Sequence, residues 1–175
     1  CFHDCSLSEI KLPDSVTTIG DSCFEGCDNL LEVTLPKALK RIREYTFSGC
    51  SNLKKINIPD GLLSIDDYAF EECFFLKNIL LPNSVTEIGI EAFAGTGLEK
   101  IILPENLEGI GQGAFYNCLY LKNVHVQNDV SLSGVFSRFQ GIGVGPGDDY
   151  YSIPAGINII KKVIEEEGFE VIKIN

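Results

Sequence analysis

The sequence predicts an α/β solenoid, a right-handed stack of ~23-residue repeats sharing one parallel β-sheet and closed by a C-terminal capping rung. Three observations predict it. Prolines recur at Pro13, Pro36, Pro59, Pro82 and Pro104, at spacings of 23, 23, 23 and 22. Phenylalanines keep the same beat at Phe2, Phe24, Phe47, Phe70, Phe93 and Phe115. Isoleucines follow at Ile19, Ile42, Ile65, Ile88 and Ile110, and leucines at Leu7, Leu30, Leu53, Leu76, Leu98 and Leu121. A unit of this size cannot close a core alone, but stacked copies each bury the apolar edge of the next.

Each element of the unit has its own reason. The stretch before each proline, as in "LLEVTLP", alternates and is β-branched, which predicts a short strand. Proline ends it, because it brings no N–H to a ladder. The predicted strands are 10–12, 33–35, 56–58, 79–81, 101–103, 124–126, 151–153 and 172–174, forming a sheet about 34 Å long at the usual strand separation. "DSCFEGC" and "DDYAFEEC" carry about two turns of helix-like spacing. Gly26, Gly49 and Gly95 stand where such a turn stops, a place that favours a left-handed residue. The right hand of the stack follows from the preference of parallel crossovers.

The expected organisation is one domain. Residues 1–127 are regular repeats, an N-terminal half rung followed by five units. Residues 128–153 are a stretched repeat with a glycine-rich loop, and residues 154–175 are a capping rung of helix plus strand. The helix is expected in "NIIKKVIEEEG", ending at Gly168. The chain lacks methionine, which reads as a fragment or processed form, and the half rung at its start reads as a truncated, open edge.

Composition narrows the function. The chain has 175 residues, 45% hydrophobic and 22% charged, an ordinary globular balance. Its net charge of -11 and pI near 4.6 argue against nucleic acid and anionic membranes as partners. No run reaches the roughly 18 apolar residues of a membrane span.

"LPDSVTTIGDSCFEGCDNLLEVTLP" and its copies resemble the BspA-like leucine-rich repeats, in regular form over residues 1–127 and more loosely to 175. Cysteine rather than asparagine fills the turn column, a departure from the commonest leucine-rich pattern. The resemblance implies a curved leucine-rich-repeat stack, a non-enzymatic role in adhesion or partner binding, and secretion or display at the cell surface. It brings no catalytic residue and no cofactor.

Several motifs compete with that reading. Cys5, Cys27, Cys50, Cys73 and Cys118 share one column, completed by Thr96. Cys1 and Cys23 share another with Thr46, Ala69, Ala92 and Ala114. Both are small-residue slots, so free structural thiols are expected ahead of disulfides, metal or redox chemistry. "CFHDC" offers Cys1, His3 and Cys5 but no fourth zinc ligand at a fitting spacing. His3 aligns with Glu25, Ser48, Glu71, Ala94 and Tyr116, expected to face solvent. "GIGVGPG" matches no phosphate-binding pattern and reads as an insertion loop. Cys118 and His125 share a rung, but Cys118 fills a core slot, so no nucleophile and base are visible.

The outward columns are more informative. One reads Glu9, Glu32, Lys55, Asn78, Lys100, Asn123, and the other Lys11, Thr34, Asn57, Leu80, Ile102, His125. The turn before each strand reads Asp28-Asn29 and Ser51-Asn52, then Phe74-Phe75, and later Leu119-Tyr120. Apolar residues occupy slots that polar ones fill elsewhere, so the core does not require them. Exposed apolar patches mark interaction surfaces. Phe74, Phe75, Leu80, Ile102, Leu119, Tyr120 and His125 are therefore the candidate binding residues, for a protein or glycan on the strand face. The rival expectation is a structural spacer, or a self-assembling module that associates through its open edge.

Overall fold

The computed structural model describes residues 2–126, 158–162 and 169–173. Its strands are β1 (Glu9–Lys11), β2 (Glu32–Thr34), β3 (Arg41–Ile42), β4 (Lys55–Asn57), β5 (Ser64–Ile65), β6 (Glu87–Ile88), β7 (Lys100–Leu103), β8 (Gly109–Ile110), β9 (Asn123–Val126), β10 (Asn158–Lys162) and β11 (Phe169–Lys173). The repeat stacks as expected, with rungs in parallel register. Val33 pairs with Ile56, Ile42 with Ile65, and Ile101 with Val124. One continuous core runs through the stack, and Phe24, Phe47, Phe70, Phe93 and Phe115 are buried in it. Successive rings lie parallel, their centroids 5.3 to 5.6 Å apart from Phe2 to Phe115.

Three expectations are corrected. First, "DSCFEGC" and its copies form no helix; among the described residues there is none. Residues two before and two after the phenylalanine are left-handed: Ser22, Tyr45, Tyr68, Glu91 and Gly113, then Gly26, Gly49, Glu72, Gly95 and Asn117. Two such residues per turn stop any α-helix. They also re-aim alternate amides along the stack. Phe47 N–H donates to Ala69 O at 2.9 Å and Gly49 N–H to Glu71 O at 2.9 Å. These backbone bonds between rungs take the place of a helix's internal ones. The glycine column does adopt the expected left-handed backbone, at φ 68 to 69° for Gly26, Gly49 and Gly95.

Second, there is more than one sheet. The order β3-β5-β6-β8 forms a second wall that the strand pattern did not show, because each strand is only two residues long. The expected sheet is divided into β1-β2-β4 and β7-β9-β10-β11. Residues 79–81 sit between them and form no strand, although Ile79 still points inward and Leu80 outward. β1, β2, β4, β7 and β9 begin one residue earlier than expected, and β11 begins three residues earlier than the strand expected at 172–174.

Third, Asn158–Lys162, expected to open a helix, is a strand. β10 lies parallel to β9, with Ile159 opposite Val124, and antiparallel to β11, with Ile159 opposite Ile172. "NIIKK" is β-branched at adjacent positions and meets an open sheet edge, so pairing overrides its helical spacing. The expected strand 151–153, the glycine-rich loop, and the rest of the expected helix and stretched repeat fall outside the described residues.

Candidate functional site

The strand face and the turns that lead into it position the candidate residues. Each such turn follows a slot occupied by Cys27, Cys50, Cys73, Thr96 or Cys118. The thiols anchor it: Cys27 Sγ donates to Phe2 O (2.9 Å), Cys50 Sγ to Phe24 O (3.0 Å), Cys73 Sγ to Phe47 O (3.2 Å) and Cys118 Sγ to Phe93 O (3.0 Å), each one rung back. Thr96 instead turns its hydroxyl to Phe93 O of its own rung, 2.9 Å away. Burial pushes the thiols up, to about 12 for Cys50 and about 11 for Cys118, and well above the ordinary value for Cys73. A thiol held protonated in this way is a poor nucleophile. The six described cysteines are free.

The column of His3 does not simply face solvent, as the sequence suggested. Ser48 and Ala94 are buried, because their short side chains lie beneath longer neighbours, and Ser48 Oγ donates to Glu71 Oε2 at 3.2 Å. His3 itself is exposed between Asp4 (2.9 Å) and Glu25 (3.6 Å). Among the described residues no three histidine, cysteine, aspartate or glutamate side chains gather to hold a metal.

Five of the seven candidate residues are exposed. Leu80 and Leu119 are each 79% accessible, Tyr120 62%, and Phe74 and Phe75 50% each. Ile102 and His125 are half-buried. The Phe74-Phe75 and Leu119-Tyr120 turns are two rungs apart, about 10 Å at the usual strand separation. The turn between them is a single residue, Gly97, where the rungs of Cys27, Cys50, Cys73 and Cys118 have two. Gly97 is buried, and a Cβ there would run into the Phe74 carbonyl oxygen. Two apolar ridges thus flank a recessed glycine. The 22-residue proline spacing marks this missing residue in the sequence, but its effect on surface shape appears only when the rungs are stacked.

Beside the ridges, where the sheet is divided, a groove of about 700 Å³ opens on the strand face. Lys54, Lys55, Asn57, Asn78 and Leu80 line it. Asn57 closes one end of its floor, accepting from Leu35 N–H at 2.6 Å and donating to Leu35 O at 3.3 Å. The lysines were not singled out in the sequence. Their column, which reads Lys54, Lys77, Glu99 and Lys122 in successive rungs, is the signal that would have found them.

The family profile described as the BspA type leucine rich repeat region matches residues 1–133 in six copies. This chain belongs to the BspA-type leucine-rich repeat family. A solved leucine-rich repeat protein from Bacteroides ovatus is 39% identical, with a TM-score of 0.68, over 71% of this chain and 33% of the other. A leucine-rich repeat protein of T. pallidum is 33% identical, with a TM-score of 0.65, over 67% of this chain and 58% of the other. A leucine-rich cell surface protein from Faecalibacterium prausnitzii is 30% identical, with a TM-score of 0.57, over 69% of this chain and 39% of the other. The BspA-type chain described here therefore spans between a third and three fifths of these relatives. A search of curated proteins found no match.

Proposed function

We propose that this BspA-type module is a non-enzymatic, surface-displayed or secreted adhesion unit that binds a protein ligand on its strand face. The carrying observation is the exposure of Phe74, Phe75, Leu80, Leu119 and Tyr120, large apolar side chains at positions the core does not use. Binding is by rigid display. Backbone ladders and stacked phenylalanines hold both ridges, so little conformational entropy is lost on docking. The ridges supply apolar burial, and the polar columns set register. The cell surface location of the Faecalibacterium prausnitzii relative supports display outside the cell.

The test compares immobilised wild-type chain with Phe74→Ser/Phe75→Ser and Leu119→Ser/Tyr120→Ser variants against extracts of extracellular matrix and cell surfaces. The expected result is a protein ligand held by the wild type and released by both variants, with unchanged circular dichroism. A ligand held equally by all three sinks the assignment of the site. Proteolytic shaving of intact source cells checks display, which requires peptides of this chain in the released fraction.

A further inference from the structure

Charge is segregated around the stack. Residues 56–126 contain three cations among their lysines and arginines, Lys77, Lys100 and Lys122, and ten acids. All three lysines are exposed on the strand-face columns, and of the ten acids only Glu99 shares those columns. Lys54 and Lys55 extend the strip by one rung. The opposite wall is the reverse: its groove of about 430 Å³ is lined by Glu44, Asp66, Asp67 and Glu87 with Arg41.

Two lysines of the strip are engaged, Lys55 with Glu32 (3.5 Å) and Lys77 with Glu99 (3.2 Å). Lys54, Lys100 and Lys122 have no carboxylate partner among the described residues. A chain with net charge -11 thus presents its strand face as a basic strip, flanked by two apolar ridges. The charge of the whole molecule, which argues against anionic partners, does not describe this face.

We propose that the strand face from Lys54 to Lys122 docks an acidic protein segment whose carboxylates meet the lysine strip while an aromatic or aliphatic side chain lodges between the Phe74-Phe75 and Leu119-Tyr120 ridges. The inference rests on the protein-binding reading above and adds the chemistry of the partner. Charge complementarity selects an acidic partner, since like charge at a docked face costs several kcal/mol. Leu80 and Leu119 favour protein over a sugar or phosphate polyanion, because such chains bring no aliphatic surface to bury against them. A second copy fits less well: its acidic wall presents Leu63 and Ile90 as exposed large apolar residues, while Tyr45 and Tyr68 beside it are half-buried and stacked on each other rather than projecting.

The test is fluorescence anisotropy with a fluorescein-labelled peptide of alternating Glu/Asp and Phe/Leu. Three probes are compared with it: its analogue with lysine for each acid, its analogue with serine for each apolar residue, and a heparin fragment. The acidic–apolar peptide should bind about tenfold or more tighter than each, and weaken several-fold as salt rises from about 50 to 200 mM. Lys54→Glu/Lys100→Glu/Lys122→Glu should lose that binding, while Lys37→Glu/Lys40→Glu keeps it. Four results overturn the proposal: no binding by the acidic–apolar peptide, equal binding of the lysine analogue, heparin binding as tight, or no effect of the triple reversal. So does a concentration-dependent dimer in sedimentation that the triple reversal abolishes, since the occupant is then a second copy. The protein-binding reading fails separately, when the ridge variants keep the ligand captured from extracts. If the triple reversal also keeps it, only the charge assignment falls.

Discussion

Cys50 Sγ donates to Phe24 O, 3.0 Å away in the preceding rung, so a cysteine in the turn column hooks its rung to the carbonyl of the one before it. The bond exists only with the thiol protonated, and burial reinforces that preference by pushing Cys50 up to about 12.

A pH dependence follows. These thiols have folded values above the ordinary 9.0 of the unfolded chain, so the folded state holds its protons longer. Their contribution to stability is complete below about pH 9 and is lost as pH climbs from there through about 12. Urea unfolding at about pH 8 and pH 10.5 should show stability falling with pH. A Cys50→Thr/Cys73→Thr variant, which fills the slots as Thr96 does, should fall less. In the native state at pH 8, Cys27, Cys50 and Cys73 should resist a thiol reagent that modifies them in urea.

Phe70 is stacked on Phe47 and Phe93 and is fully buried. Phe70→Ala should cost about 3–5 kcal/mol by urea unfolding, because a rigid ladder of rings on either side cannot collapse into the space.

Phe74 and Phe75 lie outside that ladder. Phe74→Ser/Phe75→Ser should change stability by no more than about 0.5 kcal/mol, since Ser51 and Asn52 occupy the same slots one rung earlier. A loss comparable to that of Phe70→Ala would make these rings core and remove one ridge of the site.

Gly97 has no room for a side chain. Gly97→Ala should destabilise by about 1–3 kcal/mol, because the atom in the way is the Phe74 backbone oxygen, which cannot rotate aside. The same change should weaken ligand binding even at temperatures where the variant is folded, as relief of the clash displaces the Phe74 ridge.

How much was legible depended on the kind of contact. The proline, phenylalanine and leucine columns could be read directly, since a repeat that buries its neighbour must carry the same apolar residue at the same place in every rung. Phe24, Phe47, Phe70, Phe93 and Phe115 met that expectation, and so did the left-handed glycines. The helical reading of "DSCFEGC" failed because its spacing suits any compact turn. Ser22, Tyr45, Tyr68 and Glu91 are side chains seldom left-handed, and each has its N–H bonded to a carbonyl of the next rung.

Residue order by itself determined the repeat, the buried columns and the family, because periodic burial leaves a periodic trace. Tertiary structure alone decided the second wall, the division of the sheet at residues 79–81, the strand at Asn158–Lys162 and the recess at Gly97. Each depends on which backbone groups meet across rungs far apart in the chain, and hydrogen bonds between peptide groups leave no side-chain signature to read.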